Sequence, residues 1–270
     1  MQFVQIGKVA LHYQTISGPP DRPVLVFINS LGTDFRIWRD VLVRLVGSCP
    51  LLVYDKRGHG LSDEDAGHAS IDDHVDDLFG LLTHLDIRSC VICGLSVGGL
   101  IAQRLYQRHP DRVQALILCD TAAKIGSAES WNMRIEAVRD GGLSSIVDGV
   151  MQRWFSPAFR AEDNPGYAGY RNMMQRQSAE GYIATCAAIR DADYTDALAQ
   201  IAVPTLCLVG DQDGATPPDL VLDMARRIPK ARYEVIKNAG HIPSVEQPEA
   251  MTHVIEAFLQ TLVSGDAIHG

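Results

Sequence analysis

Apolar residues along this chain fall in short unbroken runs, separated by longer stretches in which they recur every three or four positions. Val24–Ile28, Leu51–Tyr54, Cys90–Cys93, Ala115–Cys119, Thr205–Val209 and Tyr233–Ile236 are short, nearly continuous apolar runs. Strands covered on both faces read this way, because neither face meets water. Between them, Trp38–Leu45, Ile71–Leu85, Leu100–Gln107, Asp219–Ile228 and Glu249–Leu262 carry the spacing of amphipathic helices. This alternation predicts an α/β class fold: a mostly parallel twisted sheet with helices on both faces. Phe3–Ile6 and Leu11–Thr15, joined through Gly7, predict a leading hairpin.

The alternation stops between residues 123 and 202. That segment is helical in character, holds Trp131, Trp154 and several methionines, and is broken by the turn-rich "SPAFRAEDNPGYAGY". It is expected to form a helical cap inserted into a core made of residues 1–122 and 203–262, with 263–270 as a frayed C-terminal tail.

Composition narrows the function more than the fold. A chain of 270 residues, 46% hydrophobic, can bury a large core, so no staple is required. Acidic residues outnumber basic ones 33 to 24, for a net charge of −9. With no basic patch interleaved with aromatics, a nucleic-acid partner is not expected. No run of eighteen apolar residues occurs, and "MQFVQIGKVALHY" has neither a basic nor a continuous apolar leader region. The expectation is a cytoplasmic protein with no membrane partner, the question of a homo-oligomer being left open. Four of the six cysteines lie in strand-like runs and read as reduced packing residues. Cys90 and Cys93 would face opposite sides of a strand, so no metal site is expected there.

The candidate chemistry starts from "CGLSVGG", residues 93–99, which fits G-x-S-x-G around Ser96 between a strand-like and a helix-like run. A strand that turns directly into a helix leaves no room for side chains two residues either side of the centre, and Gly94 and Gly98 clear that room. A serine hydroxyl needs a base to become a nucleophile. His241, in "KNAGHIPSVEQPE" after the last predicted strand, is the best placed of nine histidines. Two carboxylates in "LVGDQDGATPP" could orient it. Asp213 is preferred, because an aspartate directly after a strand, as Asp211 is, more often makes a turn. The oxyanion donors expected are the backbone amides of Val97 and of Leu31 in "NSLGTD". The charges of "YDKRGHGLSD", including Asp55 and His59, read as turn architecture. Trp131 and Arg134, three apart in "ESWNMRIEAVRDGG", share a helix face and are the candidate substrate-binding pair; Arg139 would point elsewhere.

The stretches "FINSLGTDFRIW", "YDKRGHGLSD", "CGLSVGGLIAQ", "LVGDQDGATPP" and "AGHIPSVEQPE" resemble the α/β-hydrolase superfamily over nearly the whole chain. Asn29–Ser30–Leu31–Gly32 and the cap stretch "ESWNMRIEAVRDGGL…VMQRWFSPAF" resemble the bacterial 3-oxoadipate enol-lactonases more closely. That resemblance implies opening of a carboxylated lactone by water, through an acyl-enzyme on Ser96, with no cofactor and no metal. A carbon–carbon bond hydrolase, an esterase or a cofactor-free perhydrolase would share fold and triad, and a ligand receptor would keep the fold without turnover.

Overall fold

The computed structural model describes residues 1–64 and 69–263; of the expected tail 263–270, Val263 instead closes the last helix, and residues 264–270 lie outside the described residues. Eight described strands make one sheet: β1 (Gln2–Ile6), β2 (Val9–Ile16), β3 (Val24–Ile28), β4 (Leu51–Tyr54), β5 (Cys90–Leu95), β6 (Val113–Cys119), β7 (Thr205–Gly210) and β8 (Arg232–Ile236). Their spatial order is β1-β2-β4-β3-β5-β6-β7-β8. The β1–β2 hairpin turns at Gly7, whose φ of 55° suits glycine, and β2 pairs antiparallel to β4. From β4 onward every pairing is parallel. Such strands must be sheathed on both faces, and Leu25–Ile28 and Val91–Cys93 are fully buried.

The helices are α1 (Arg39–Leu45), α2 (Ile71–His84), α3 (Val97–Arg108), α4 (Ala128–Gly141), α5 (Val147–Trp154), α6 (Pro165–Gln175), α7 (Ala179–Asp191), α8 (Pro218–Arg227), α9 (Pro243–Glu246) and α10 (Pro248–Val263). Local chemistry fixes several starts. Ser70 and Asp73 form a capping box on α2, Ser127 and Ser130 one on α4, and the side chains of Asn164 and Ser178 cap α6 and α7. The run expected over Trp38–Leu45 opens as a 3₁₀ turn at Phe35–Trp38 before α1 begins. Packing of α3 against β3, β5 and β6, and of α8 against β7 and β8, buries the sheet.

Between β6 and β7 lie α4 to α7, an all-helical insert in which α4 packs on α7. Strand order reverses at β3, so the chain runs to β4 on one side and to β5 on the other. Ligands of open parallel sheets bind at the carboxyl ends of the strands near such a switch. The loops after β3, β5, β7 and β8 all leave from that edge.

Candidate active site

Ser96 follows β5 directly and caps α3, with φ 59° and ψ −117°. A non-glycine residue there is strained, and the surroundings hold it. The Ser96 amide donates to the Cys119 carbonyl (3.0 Å), and the Thr121 hydroxyl donates to the Ser96 carbonyl (2.7 Å). A Cβ on Gly94 would lie 2.2 Å from the Gly98 oxygen, and one on Gly98 would lie 2.4 Å from the Ile28 oxygen. The two glycines are therefore the condition for strand and helix to meet at so tight an angle.

Residues from β7 and β8 meet behind this turn. His241 Nδ1 lies 2.9 Å from Asp213 Oδ2, both side chains being buried. The other Asp213 acceptor sites are also taken: Oδ1 receives the Ala215 and Thr216 amides (2.7 and 3.0 Å), and Oδ2 receives the Thr216 hydroxyl (2.7 Å). Burial pushes this carboxyl up, but the facing imidazole and the hydrogen bonds outweigh it and hold the pKa below the ordinary aspartate value. Asp211 serves the backbone instead, accepting the Ala239 amide (3.3 Å). The β7 and β8 loops touch closely, since a Cβ on Gly210 would lie 2.0 Å from the Gly240 oxygen.

A third acidic group stands beside this pair. Asp120, at the end of β6 with φ 46°, has its carboxylate within 4.8 Å of the ligating atoms of Asp213 and His241. One oxygen accepts the Gly210 amide (2.9 Å); the carboxyl also faces Asp213. Burial first, then the Asp213 charge, raises its pKa well above the ordinary value and so favours its neutral form. These three residues are the described grouping with the reach to hold a metal, but Asp213 already fills its four acceptor sites with protein donors.

The loop after β3 is braced from below. The Ser30 carbonyl accepts the Lys56 ammonium (2.6 Å) and the Thr33 hydroxyl (2.9 Å), and the Gly32 amide donates to His59 Nε2 (3.0 Å). Asp55 accepts the Phe35 and Leu61 amides (2.9 and 3.0 Å) and lies 2.8 Å from His12 Nδ1. The charged residues of "YDKRGHGLSD" thus hold a loop in shape, and His59, its pKa pulled well below the ordinary value by burial and then by Lys56, acts as a neutral acceptor. Neither the Leu31 nor the Val97 amide donates to a described backbone or side-chain acceptor.

A cavity of about 240 Å³ opens onto these groups, with Ser96, His241, Leu31, Trp131 and Arg134 in its wall. The Arg134 guanidinium lies over the Trp131 ring, 4.8 Å from its centre, while Trp131 Nε1 donates to the Ile125 carbonyl (2.6 Å). Arg139 points outward and pairs with Glu136 (2.6 Å). Arg153, Tyr182 and Thr216 also line the cavity, and the sequence reading passes over all three. Thr216 stood three residues beyond Asp213 in a turn-forming stretch, which was a usable signal; nothing local linked α5 and α7 to α4. A larger groove, about 690 Å³, runs past α2, α3, α4 and α7, but Arg104, Arg139 and Arg190 in its wall are engaged by Asp72, Glu136 and Asp191.

Three comparisons set this geometry among known proteins. The family model described as "alpha/beta hydrolase fold" matches residues 23–248. The chain is 38% identical to 3-oxoadipate enol-lactonase 2 of Acinetobacter baylyi, over 93% of this chain and 94% of that one. Among solved structures, the enol-lactonase from Burkholderia xenovorans LB400 superposes with a TM-score of 0.91 at 34% identity, covering 96% of this chain and all of that one (100%). A thermophilic esterase from Thermogutta terrifontis, with malate bound, gives a TM-score of 0.91 at 32% identity, over 97% and 99% of the two chains. The chain belongs to the alpha/beta hydrolase family, and is a hydrolase within it.

Proposed function

We propose that this enzyme opens the enol-lactone of 3-oxoadipate, and that it does so through an acyl-enzyme on Ser96. The observation that carries the reading is the wall of one small cavity: Ser96 and His241 share it with Arg134, a half-buried guanidinium without a described carboxylate partner. That pairing suits an acyl substrate bearing a free carboxylate. The named lactonase relatives support the ring, and the malate found on the Thermogutta esterase supports an anion in the pocket.

With Nδ1 turned to Asp213, the imidazole keeps Nε2 for the Ser96 proton. Ser96 Oγ attacks the lactone carbonyl while His241 takes its proton. The Leu31 and Val97 amides receive the oxyanion, and the ring C–O bond breaks with the electron pair leaving on the enol oxygen. His241 returns the proton, and the enol becomes a ketone. Water, deprotonated by the same imidazole, then attacks the acyl-enzyme and releases the second carboxylate and Ser96. Trp131, stacked under Arg134, excludes water from the ion pair, and the insert acts as the cap of the pocket. We read the protein as cytoplasmic and as needing lactone and water alone.

Turnover of purified enol-lactone, followed by loss of its ultraviolet absorbance, tests the substrate. Ser96→Ala deletes one oxygen and should lower kcat by up to about 10⁶-fold, as in other triads, with unfolding unchanged. Mass spectrometry of quenched wild-type enzyme should show an adduct on the Ser96 peptide. Activity of the alanine variant within tenfold of wild type overturns the mechanism.

A further inference from the structure

The proposed carboxylate site rests on one cation, Arg134, yet the same cavity wall holds a second. Arg153, on the last turn of α5, is half-buried there, and no described carboxylate pairs with it. Several other half-buried arginines are engaged, Arg57 by Asp77 (2.6 Å), Arg104 by Asp72 (2.7 Å) and Arg171 by Asp148 (3.0 Å), while Arg112 and Arg160 donate to the Ile87 and Phe155 carbonyls (3.1 Å each). In a protein with 33 acidic residues, two neighbouring guanidiniums left without a counter-ion carry an uncompensated desolvation and repulsion cost. The repulsion is registered on Arg153 itself, whose pKa is lowered by burial first and by the Arg134 charge second.

A third donor points to the same place. Tyr182, on α7, is fully buried and lines the cavity, with its hydroxyl beside the Arg134 guanidinium and its proton free to donate. Burial first, then Cys186, raises its pKa, partly offset by the charge and hydrogen bond of Arg134 and by the Arg153 charge, so it is a neutral donor beside two cations. No aspartate or glutamate among the described residues lines the cavity. Two cations and a buried phenol line a space without an anion of its own among the described residues.

Arg153 is also held where an adjustable surface arginine would not be. Its carbonyl accepts the Gly214 amide (3.2 Å) from the loop that carries Asp213, and the next carbonyl, of Trp154, accepts the His241 amide (2.8 Å). The backbone from which the Arg153 side chain springs is thereby fixed against both loops of the catalytic pair.

We infer that Arg153 and Tyr182 join Arg134 in one carboxylate-binding subsite, and that Arg153 determines specificity for acyl substrates carrying a terminal carboxylate. This rests on the proposed hydrolase chemistry at Ser96 but not on the identity of the lactone. Two guanidiniums offer a carboxylate more donors than one can use in a bidentate pair, so each arginine contributes separately to its binding.

The test uses the whole protein and two activated esters, p-nitrophenyl butyrate and mono-p-nitrophenyl glutarate, which differ by the terminal carboxylate. The readout is the ratio of kcat/KM on the anionic ester to that on the neutral one. Arg153→Met should lower this ratio by about ten- to hundred-fold, chiefly through KM, and Arg153→Lys should restore part of it. Tyr182→Phe should lower it by about two- to ten-fold. Glutarate as a competitive inhibitor of neutral-ester turnover should lose affinity in parallel, with the circular dichroism of each variant matching wild type. Equal loss on both esters with unchanged glutarate inhibition would mean that Arg153 only supports the fold, and the inference fails. An enzyme that ignores the enol-lactone yet keeps the Arg153-dependent ratio overturns the proposed substrate and leaves this subsite standing.

Discussion

Single residues carry the division of labour among the acids. Asp213 and Asp211 stand two apart, but one faces the imidazole and the other a backbone amide. Asp213→Asn can present an NH₂ group to His241 Nδ1 and favour the wrong tautomer, so kcat should fall by about 10⁴-fold; Asp211→Asn should lower thermal stability with kcat within a few-fold. Steady-state kinetics on both variants decides the assignment, and a dead Asp211 variant reverses it. Asp120 behaves differently, because burial and the Asp213 charge favour its neutral form in the fold. Its pKa is raised on folding, so the native state binds the extra proton and stability falls as pH climbs above the unfolded value near 3.8. Asp120→Asn keeps an oxygen for the Gly210 amide and tolerates a φ of 46°, and it removes that titration. Thermal unfolding should show the variant gaining on wild type as pH rises above about 4; a gap constant with pH would mean that Asp120 is charged in the fold. Of these acids, the one placed against His241 could be singled out in the sequence, since loop length after a strand favours the later carboxylate. Asp120 could not be, because what places it near Asp213 is the pairing of β6 with β7, and no spacing along the chain encodes that.

Elements were legible where their chemistry is local. The turn around Ser96 is specified within five residues, so its glycines could be read from sequence, and β5 runs on to Leu95, two residues beyond its apolar core of Cys90–Cys93, straight into the turn. Gly98→Ala should destabilise the protein by about 1–3 kcal/mol and lower kcat as well, because the added methyl meets the backbone of β3, which cannot rotate away. Chemical denaturation together with kcat checks both effects; a stable, fully active alanine variant would mean that the turn yields more easily than the contact distance allows. The seam between insert and core was not legible. Glu246, in α9, takes the Ser156 amide and hydroxyl (3.1 and 2.6 Å) with one oxygen and the Gly240 amide (2.6 Å) with the other. It ties the end of α5 to the loop of His241. An uncharged glutamine offers one acceptor where two are used, so Glu246→Gln should cost about 1.5–3 kcal/mol of stability. Nothing near Glu246 in the chain marks this role, since its partner Ser156 is 90 residues away.

At the scale of the molecule, the question is whether insert and core open as one body. All six cysteines are buried and free, five in the core and Cys186 in α7 of the insert. Burial raises their pKa values where a shift is seen, to about 11 for Cys49 and about 12 for Cys90, Cys186 and Cys207. Attack on a disulfide reagent needs both a thiolate and access, so none should react in the closed native state, and each reaction reports an opening event. The insert is stitched to the core at the loops that matter for chemistry: Arg153 to Gly214, Trp154 to His241, and Ser156 to Glu246. Gly58 and Gly181 add a backbone contact so close that a Cβ on Gly181 would stand 2.3 Å from the Gly58 oxygen. Opening the insert alone would have to break these bonds and expose Tyr182 and Trp154, so it should occur no more readily than global unfolding. With a charged aromatic disulfide in excess at pH 8, six thiols should react together at one slow rate, and denaturant should speed all six equally. Glutarate bound between Arg134, Arg153 and Tyr182 should slow the six together, because it binds only the closed form. A single fast thiol, mapped by peptide mass spectrometry to Cys186 and slowed selectively by glutarate, would show instead that the insert lifts on its own and that substrate entry uses that motion.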